Sequence, residues 1–248
     1  TTWTQSNAPS TVGQRDIDYT DGVLYMAGDY QNIYKSTNNG VTWSSIYFYD
    51  NANAYQPPLN SPAIIYGISV NGNDIALVGQ HGITNISNDG GSSWRNKNYS
   101  VSNNYGSTTY GSIFVQTTGT GIPVTGNIWL GPYQGGNVLY TSNGGTNWST
   151  KPSPNVSSVK TIQFINTNTG YIAGGNSFNG IGEMSKTTNA GASWTALGLP
   201  SPINGVAITA INFINATTGW IGTEGGFSAK TTNGGSSWTV QTLETSTS

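Results

Sequence analysis

The acidic side chains that could support chemistry in this chain are clustered near its start. Asp16, Asp18 and Asp21 lie close together, and Asp29 follows them. Hydrolysis of a glycosidic bond commonly uses two carboxyl groups on opposite sides of that bond. Asp16 and Asp18 fall on one face of a predicted strand, near an expected central channel, but later repeats bring no facing carboxyl pair. The pattern therefore does not predict hydrolysis. It leaves a calcium site open, because carboxylate oxygens are calcium ligands.

The other reactive side chains are few and scattered. His81 is the single histidine, with no serine or aspartate at catalytic spacing and no second histidine to share a metal. The two arginines are Arg15 and Arg95, and the absence of cysteine excludes a thiolate metal site. No glycine-rich loop opens a predicted helix that could hold a phosphate. We therefore predict that the protein is not an enzyme and has no catalytic residues, no metal and no cofactor.

The low charge of the chain excludes several classes of partner. Charged residues make up 7% of the 248 residues, and the net charge is −2. A nucleic-acid-binding protein needs a basic face, which this composition does not supply. No apolar run reaches the roughly 18 residues of a membrane helix. Because the chain is rich in hydroxyl and amide side chains and starts at Thr1, we expect an extracellular or cell-surface protein whose leader has been removed.

One eight-residue pattern organises the whole chain, and we call each copy of it a box. It reads Ser/Thr-x-Asn/Asp-x-Gly-x-x-Trp and occurs five times, with its tryptophans 51, 54, 46 and 44 residues apart. An Asn or Asp side chain accepts hydrogen bonds from nearby backbone, and glycine adopts a positive φ at low cost, so each box predicts a hairpin turn. The residues that define the boxes are Ser36, Asn38, Gly40, Trp43, Ser87, Asp89, Gly91, Trp94, Thr141, Asn143, Gly145, Trp148, Thr187, Asn189, Gly191, Trp194, Thr231, Asn233, Gly235 and Trp238.

Strand signals of the same kind accompany every box. An alternating first strand, such as Ile17-x-Tyr19, is followed by a second strand that ends at glycine and a third that enters the box. The tryptophan begins the fourth. Four short antiparallel strands repeated about every 45 residues predict an all-β fold, a five-bladed β-propeller of four-stranded antiparallel blades. We predict one domain over residues 1–248, with blades near residues 12–50, 60–100, 105–152, 157–199 and 205–244.

The boxes resemble the Asp-box, or bacterial neuraminidase repeat, of sialidases, xyloglucan-type glycosidases and sortilin-like receptors. The segments 164–174 and 213–222 are similar to repeats of photosystem II stability/assembly factor proteins. The resemblance spans essentially the whole chain and implies a β-propeller. Four of the five boxes carry Asn in place of Asp, which keeps the turn and removes its charge. Sialidases of this type hold a substrate carboxylate with three arginines, and this chain has two, so the resemblance does not imply that activity.

The start of the chain carries one strand more than five blades require. Trp3 lies 40 residues before Trp43, and each is followed by a hydroxyl residue. Since the last blade already has a fourth strand, the segment Trp3, Thr4 and Gln5 is surplus. A surplus strand can pair with an exposed sheet edge of another molecule, or it can pair within its own subunit. We predict a non-catalytic structural protein that assembles with itself into a fibre or surface layer.

Tyrosines in the long insertions suggest an alternative function. Rings beside Asn, Gln and Ser can stack on sugars or anchor a protein interface, so the alternative is a glycan-binding or adhesion module. The candidate binding residues are Tyr49, Tyr55, Tyr99, Tyr105, Tyr110 and Tyr133. Candidate N-glycosylation sites, from the Asn-x-Ser/Thr pattern, are Asn85, Asn98, Asn147, Asn155 and Asn215.

Overall fold

The structure is a computed structural model, and it describes nine ranges of the chain: residues 13–29, 32–46, 64–80, 84–96, 110–116, 127–132, 137–152, 156–176 and 180–241. Within these ranges the chain forms twenty β-strands and one short 3-10 helix, Ile203–Gly205. In the described part of the chain, no helix has the length and apolarity needed to cross a membrane.

The strands form five four-stranded antiparallel sheets, the blades of a five-bladed β-propeller, as the boxes predict. Blade one contains β1 (Gln14–Thr20), β2 (Val23–Gly28), β3 (Ile33–Ser36) and β4 (Ser44–Ile46). Blade two contains β5 (Ile65–Asn71), β6 (Asp74–Gly79), β7 (Thr84–Ser87) and β8 (Arg95–Asn96). Blade three contains β9 (Tyr110–Gln116), β10 (Asn127–Pro132), β11 (Val138–Thr141) and β12 (Ser149–Lys151). Blade four contains β13 (Val159–Phe164), β14 (Gly170–Asn176), β15 (Ile181–Thr187) and β16 (Thr195–Ala196). Blade five contains β17 (Ile208–Phe213), β18 (Gly219–Thr223), β19 (Ser228–Thr231) and β20 (Thr239–Gln241).

The strand register lets equivalent positions be compared between blades. In blade one, Tyr19 pairs with Leu24, which in turn pairs with the first residue of the box, Ser36. In blades two, four and five, a first-strand residue is likewise paired to a second-strand residue that pairs with the first residue of the box. We treat these three first-strand residues as equivalent to Tyr19. These residues are Val70, Phe164 and Phe213.

The chain divides into two compact units, and the first comprises residues 1–128 and 141–148. In this unit β1 lies beside β5, and β5 lies beside β9. Its apolar core fills the space between blades one and two, where Tyr25 and Ile33 of blade one pack with Ile68, Leu77 and Trp94 of blade two. The two blades therefore bury each other's apolar faces, as packed β-sheets do.

The second unit comprises residues 129–140 and 149–248 and repeats this arrangement. Here β13 lies beside β17. Tyr171 and Met184 of blade four pack with Ile208, Phe213 and Ile221 of blade five. Each of these five side chains is at most 4% exposed, so this interface between blades is a true core.

Blade one departs from the predicted burial of its first strand. The alternation of the first strand predicts that its apolar residues Ile17 and Tyr19 form the buried face, but they are 54% and 58% exposed. Their neighbours Asp16 and Asp18 are the partly buried ones. The pattern of alternation is right and the buried side is wrong, because the sequence shows which residues share a face but not which face is covered.

Candidate functional site

The hydroxyl that opens each box organises the turn that follows. In the last box, Thr231 Oγ1 accepts hydrogen bonds from the backbone N–H of Gly235 at 3.0 Å and of Asn233 at 3.3 Å. The same hydroxyl donates to Asn233 Oδ1 at 3.0 Å. The box glycines adopt φ values between 71° and 90°, which glycine reaches without steric cost. The predicted hairpin turn is confirmed, with the hydroxyl as its buried centre.

Asparagine and aspartate build the same turn in different boxes. In the second box, Asp89 Oδ1 accepts from the Ser93 N–H at 2.8 Å, and Asp89 Oδ2 accepts from the Ser93 hydroxyl at 2.6 Å. In the fourth, Asn189 Oδ1 accepts from the Ser193 N–H at 2.9 Å, while its Nδ2 donates to the Ser193 hydroxyl at 2.8 Å. The serine hydroxyl therefore donates in the second box, from Ser93, and accepts in the fourth, at Ser193. The hydrogen bonds to Ser93 hold the pKa of Asp89 below its usual value.

The acidic pair of blade one holds backbone groups of two strands. Asp16 Oδ1 accepts from the N–H of Ile17 at 2.9 Å, and its Oδ2 accepts from the N–H of Ile68 in blade two at 2.9 Å. Two residues further along β1, Asp18 makes the equivalent contact, because its Oδ2 accepts from the N–H of Val70 in blade two at 2.8 Å. These N–H groups lie on the free edges of β1 and β5. The two aspartate side chains therefore fasten blade one to blade two and cap both edges.

Removal from water raises the pKa of Asp16 to about 7, and its backbone hydrogen bonds only partly oppose this effect. Burial also raises the pKa of Asp18. The carboxyl oxygens that the sequence left open for calcium are thus engaged with backbone N–H groups. Within the described ranges, no group of three or more metal-ligating side chains comes together.

The other candidate reactive residues are dispersed. Arg15 Nε donates to Asp29 Oδ1 at 2.8 Å, so Asp29 faces an arginine and not the other acids of the cluster. Arg95 contacts the side-chain oxygen of Asn88 in blade two. His81 lies outside the described residues.

Aromatic rings form stacked pairs across neighbouring blades of the second unit. Tyr171, on the second strand of blade four, stacks on Phe213, on the first strand of blade five, with centroids 3.7 Å apart and planes 7° apart. Trp129 stacks on Phe164 in the same way, at 4.4 Å and 22°. A second-strand ring of one blade thus covers a first-strand ring of the next.

Polar contacts accompany this pairing of rings. The Tyr171 hydroxyl and the Lys186 ammonium both donate to the carbonyl of Gly234, at 3.2 and 3.1 Å, in the box of blade five. Gln163 donates to the carbonyl of Phe213 at 3.1 Å and accepts from its N–H at 2.7 Å. The interface between blades four and five therefore combines ring stacking with side-chain hydrogen bonds to the backbone of the next blade.

Blade one leaves the receiving half of such an interface uncovered. Ile17 and Tyr19 form what we call the upstream face of blade one, the side that in later blades packs on the preceding blade. The residues equivalent to Tyr19, namely Val70, Phe164 and Phe213, are 8%, 6% and 4% exposed, against 58% for Tyr19. Isolated exposed apolar residues are ordinary, but Tyr19 is exposed at a position where Val70, Phe164 and Phe213 of later blades are core.

The remaining predicted site residues divide into two groups. The assembly strand Trp3, Thr4 and Gln5, the tyrosines 49, 55, 99, 105 and 133, and the sequons at Asn98 and Asn155 lie outside the described residues. Tyr110 begins β9, where its backbone alone is described. Asn85 is 5% exposed within β7, so the folded chain leaves little room for a glycan there. Asn147 and Asn215 are exposed in turns.

Sequence reasoning missed the interface residues that join the blades. Gln163 and Lys186 looked like ordinary polar strand residues, and no local pattern shows that they reach the next blade. Tyr171 and Phe213 did carry a usable signal, because aromatic residues recur at the same positions of successive repeats.

Comparison with known proteins shows the fold. No protein-family model matches this chain, and no curated protein matches it. A structure of YCF48 bound to D1 peptide is similar to this chain at 16% identity and TM-score 0.52, over 94% of this chain and 82% of that one. The GH74 enzyme of Niastella koreensis has 18% identity and TM-score 0.62, over 88% and 36%. A catalytically inactive virginiamycin B lyase from Staphylococcus aureus with quinupristin has 14% identity and TM-score 0.63, over 97% and 73%. At these identities the likeness establishes a β-propeller and no activity.

Proposed function

We propose that this chain is a non-catalytic structural protein of the cell surface or extracellular space that associates with itself. The observation that carries the proposal is the upstream face of blade one. Ile17 and Tyr19 are more than half exposed, although the residues of later blades equivalent to Tyr19, namely Val70, Phe164 and Phe213, are core. Covering such a face is favourable, at about 25 cal/mol for each Å² of apolar surface removed from water. A second copy of the same repeat offers a matching surface.

The placement of the acidic residues and arginines supports a non-catalytic role. Asp16 and Asp18 use their oxygens to hold backbone N–H groups of β1 and β5. Arg15 forms an ion pair with Asp29 in blade one. Side chains committed to holding blades in place are poor candidates for acid, base or nucleophile in a hydrolase.

The capping of inner edges constrains where a donated strand could bind. The free edges of β1 and β5 are occupied by Asp16 and Asp18, which leaves fewer backbone groups for an added strand. The outer strands β4 and β20 are three residues long. We therefore expect strand donation by residues 1–8 to use an outer edge of a blade. The same proposal assigns the five boxes to turns of the Asp-box type.

A binding module is the second candidate function. A structural neighbour of this fold is recorded with a bound peptide, and the aromatic insertions of this chain carry tyrosines next to amide and hydroxyl groups. On this view the chain is a propeller that binds glycans or adheres to another surface. A glycan array and a peptide array with the full chain test it, and binding by monomers alone would favour it over self-association.

The test of self-association compares the full chain with two variants across a wide concentration range. Light scattering and electron microscopy should show assemblies of the full chain that grow with concentration. Ile17→Thr keeps a β-branched side chain and removes apolar surface from the upstream face, so it should shift assembly to higher concentration. Deletion of residues 1–8 separates the contribution of the surplus strand.

Val41→Thr is the matched control, because Val41 is 59% exposed and lies in the box of blade one. The corresponding positions of later boxes, such as Ser92 and Ser236, are also exposed, so no neighbour covers this site and assembly should be unchanged. A full chain that stays monomeric at every concentration would contradict the proposal.

A further inference from the structure

The two ends of the blade series carry the two halves of one aromatic pair. In blades four and five, the second-strand ring Tyr171 stacks on the first-strand ring Phe213. The residue of blade five equivalent to Tyr171 is Trp220, since each pairs with the lysine before its box, Lys186 or Lys230. The residue of blade one equivalent to Phe213 is Tyr19. Trp220 lies in the last of the five described blades and is partly exposed, and Tyr19 lies in the first and is 58% exposed.

Trp220 and Lys230 already have the arrangement found at an occupied interface. Lys230 Nζ lies 5.2 Å from the centroid of the Trp220 ring, and Lys186 lies 5.3 Å from that of Tyr171. Tyr171 is fully buried, whereas Trp220 is partly exposed. The pair in blade five is therefore pre-formed, with less of its ring covered.

The residue directly after the first strand is also covered in blade four and exposed in blade five. Ile165, at this position in blade four, packs against the core shared with blade five. Ile214 of blade five is 65% exposed. Trp220, Lys230 and Ile214 form what we call the downstream face of blade five, the side that in earlier blades packs on the following blade.

The composition of the downstream face suits a reversible interface. Blades one and four place the pairs Ala27–Ile33 and Ala173–Met184 behind the ring, all at most 2% exposed. Blade five has Gly222 and Ser228 instead, and both are partly exposed. An interface that is permanently buried is apolar like a domain core, whereas one that also exists uncovered is more polar. The change therefore favours a contact between separate copies.

We propose, building on the self-association argued above, that copies of this chain join head to tail. The downstream face of blade five in one copy packs on the upstream face of blade one in the next, so that Trp220 stacks on Tyr19 and Lys230 reaches the carbonyl of Asn39 in the neighbouring box. The contact continues the packing of blade on blade from one molecule into another. A contact between two different faces is heterologous and extends into an open filament when the rotation does not close.

The proposal makes one modification incompatible with assembly. Asn215 follows Ile214 directly, is exposed, and lies in a sequon. A glycan attached there would cover the downstream face. Chains glycosylated at Asn215 should therefore be found outside assemblies or at one end of them.

The test uses two variants, each with one face disabled. Tyr19→Lys places a charge on the upstream face, and Trp220→Ala removes the ring from the downstream face. Each should weaken association of the full chain about tenfold or more, since buried aromatic anchors carry much of an interface's binding energy. Mixed in equal amounts, the two variants should form dimers and nothing longer, because each supplies one intact face. Val41→Lys, at a box position whose counterparts Ser92 and Ser236 are exposed in later blades, should assemble like the parent chain.

The outcomes separate this inference from the proposed function. If the parent chain assembles and either variant alone still assembles, the head-to-tail contact is wrong while self-association stands. If the parent chain never assembles, both proposals fail. Melting curves of both variants verify that each is folded, and a chain that assembles only when Trp220 is replaced would also overturn the contact.

Cross-linking distinguishes a contact between copies from one within a chain. The chain has no cysteine, so Ile17→Cys together with Ile214→Cys gives two unique and exposed thiols. A bis-maleimide reagent should join chains into a ladder of oligomers on a denaturing gel. A product of monomer mass that carries both ends of the reagent would show that the two faces cover each other in one chain, and would overturn the proposal.

Discussion

At the scale of single residues, the box hydroxyl performs more tasks than its neighbours. Thr231 accepts two backbone N–H groups and donates to Asn233 while being 1% exposed. A serine or threonine is required here because a hydroxyl can donate and accept at one atom. The Asn or Asp that follows is exchangeable, because both supply the acceptor Oδ1 and a second atom that adapts to the neighbouring hydroxyl.

Thr231→Val tests this role with nearly the same shape. The N–H groups of Gly235 and Asn233 would lose their acceptor, and an unsatisfied buried group costs about 1–3 kcal/mol. We expect the free energy of unfolding, measured by urea denaturation, to fall by about that amount. Thr232→Val, an exposed change in the same box, should have little effect, and equal losses for the two variants would contradict the assignment.

Asp16 predicts a stability that depends on pH near neutrality. Its pKa rises from 3.8 to about 7 on folding, so between those values the folded chain holds a proton that the unfolded chain has released. The free energy of unfolding should therefore decrease as the pH rises from about 4 to 7 and then level off. Since a full unit is worth about 1.4 kcal/mol and Asp16 is partly exposed, we expect a total change of about 2 kcal/mol.

Asp16→Asn should reduce this slope, whatever its effect on the absolute stability, and the raised pKa of Asp18 accounts for what remains. The amide has a single acceptor oxygen for the N–H groups of Ile17 and Ile68, so some stability is lost at every pH. Asp21→Asn, in an exposed turn, is the matched change that should keep the slope. Urea denaturation at a series of pH values measures all three chains, and an unchanged slope in Asp16→Asn would refute the prediction.

At the scale of elements, the blade is not the unit that buries the core. Its two apolar faces are covered by the neighbouring blades, as Tyr171 and Phe213 show. In blades one and four, side chains on the first strand also tie the blade to the next one, through two carboxyl groups in blade one and an amide in blade four. Gln163 occupies the position equivalent to Asp18, since each pairs with the tyrosine of the second strand. Asp18 and Gln163 each supply a side-chain oxygen that accepts from a backbone N–H on the first strand of the next blade.

Gln163→Met keeps the length of the side chain and removes both hydrogen bonds to Phe213. We expect a loss of about 1–2 kcal/mol in the free energy of unfolding, with slight movement of blade five against blade four. Asn212→Met is the control, because Asn212 holds the same position in blade five and is exposed. Hydrogen exchange of the Phe213 amide should accelerate in the first variant, and unchanged protection there would argue against the tie.

At the scale of the whole molecule, the scarcity of charge shapes how copies would meet. With 18 charged residues in 248, attraction between oppositely charged surfaces contributes little. The proposed contact consists of stacked rings, apolar side chains and a single lysine. Salt screens interactions between exposed charges and leaves apolar burial largely intact.

Self-association should therefore respond weakly to sodium chloride. Between about 0.05 and 0.5 M salt we expect the concentration for half-maximal assembly to change by less than about threefold. Light scattering of the full chain measures this, with Tyr19→Lys as the chain that should need a higher concentration to assemble at every salt concentration. Dissociation at the higher salt would show that charge, and not apolar contact, holds the assembly.

The sequence by itself determined the architecture of this protein. Five boxes with four strand signals each specify five blades, because turns and alternation are local properties that one segment encodes. The exchange of Asp89 for Asn in other boxes could also be understood from the chemistry of one turn. Equivalent residues such as Tyr171 and Trp220 were visible as repeats.

The tertiary structure alone decided which of those repeated positions are covered. Tyr19 and Phe213 have the same place in the pattern, but one is exposed and the other is core. Asp16 and Asp18 looked like candidates for chemistry, and they hold the backbone of the next blade. The reason is physical. Burial and hydrogen bonding between blades depend on residues about fifty positions apart, and no local sequence pattern specifies which residue of another blade packs at a given position.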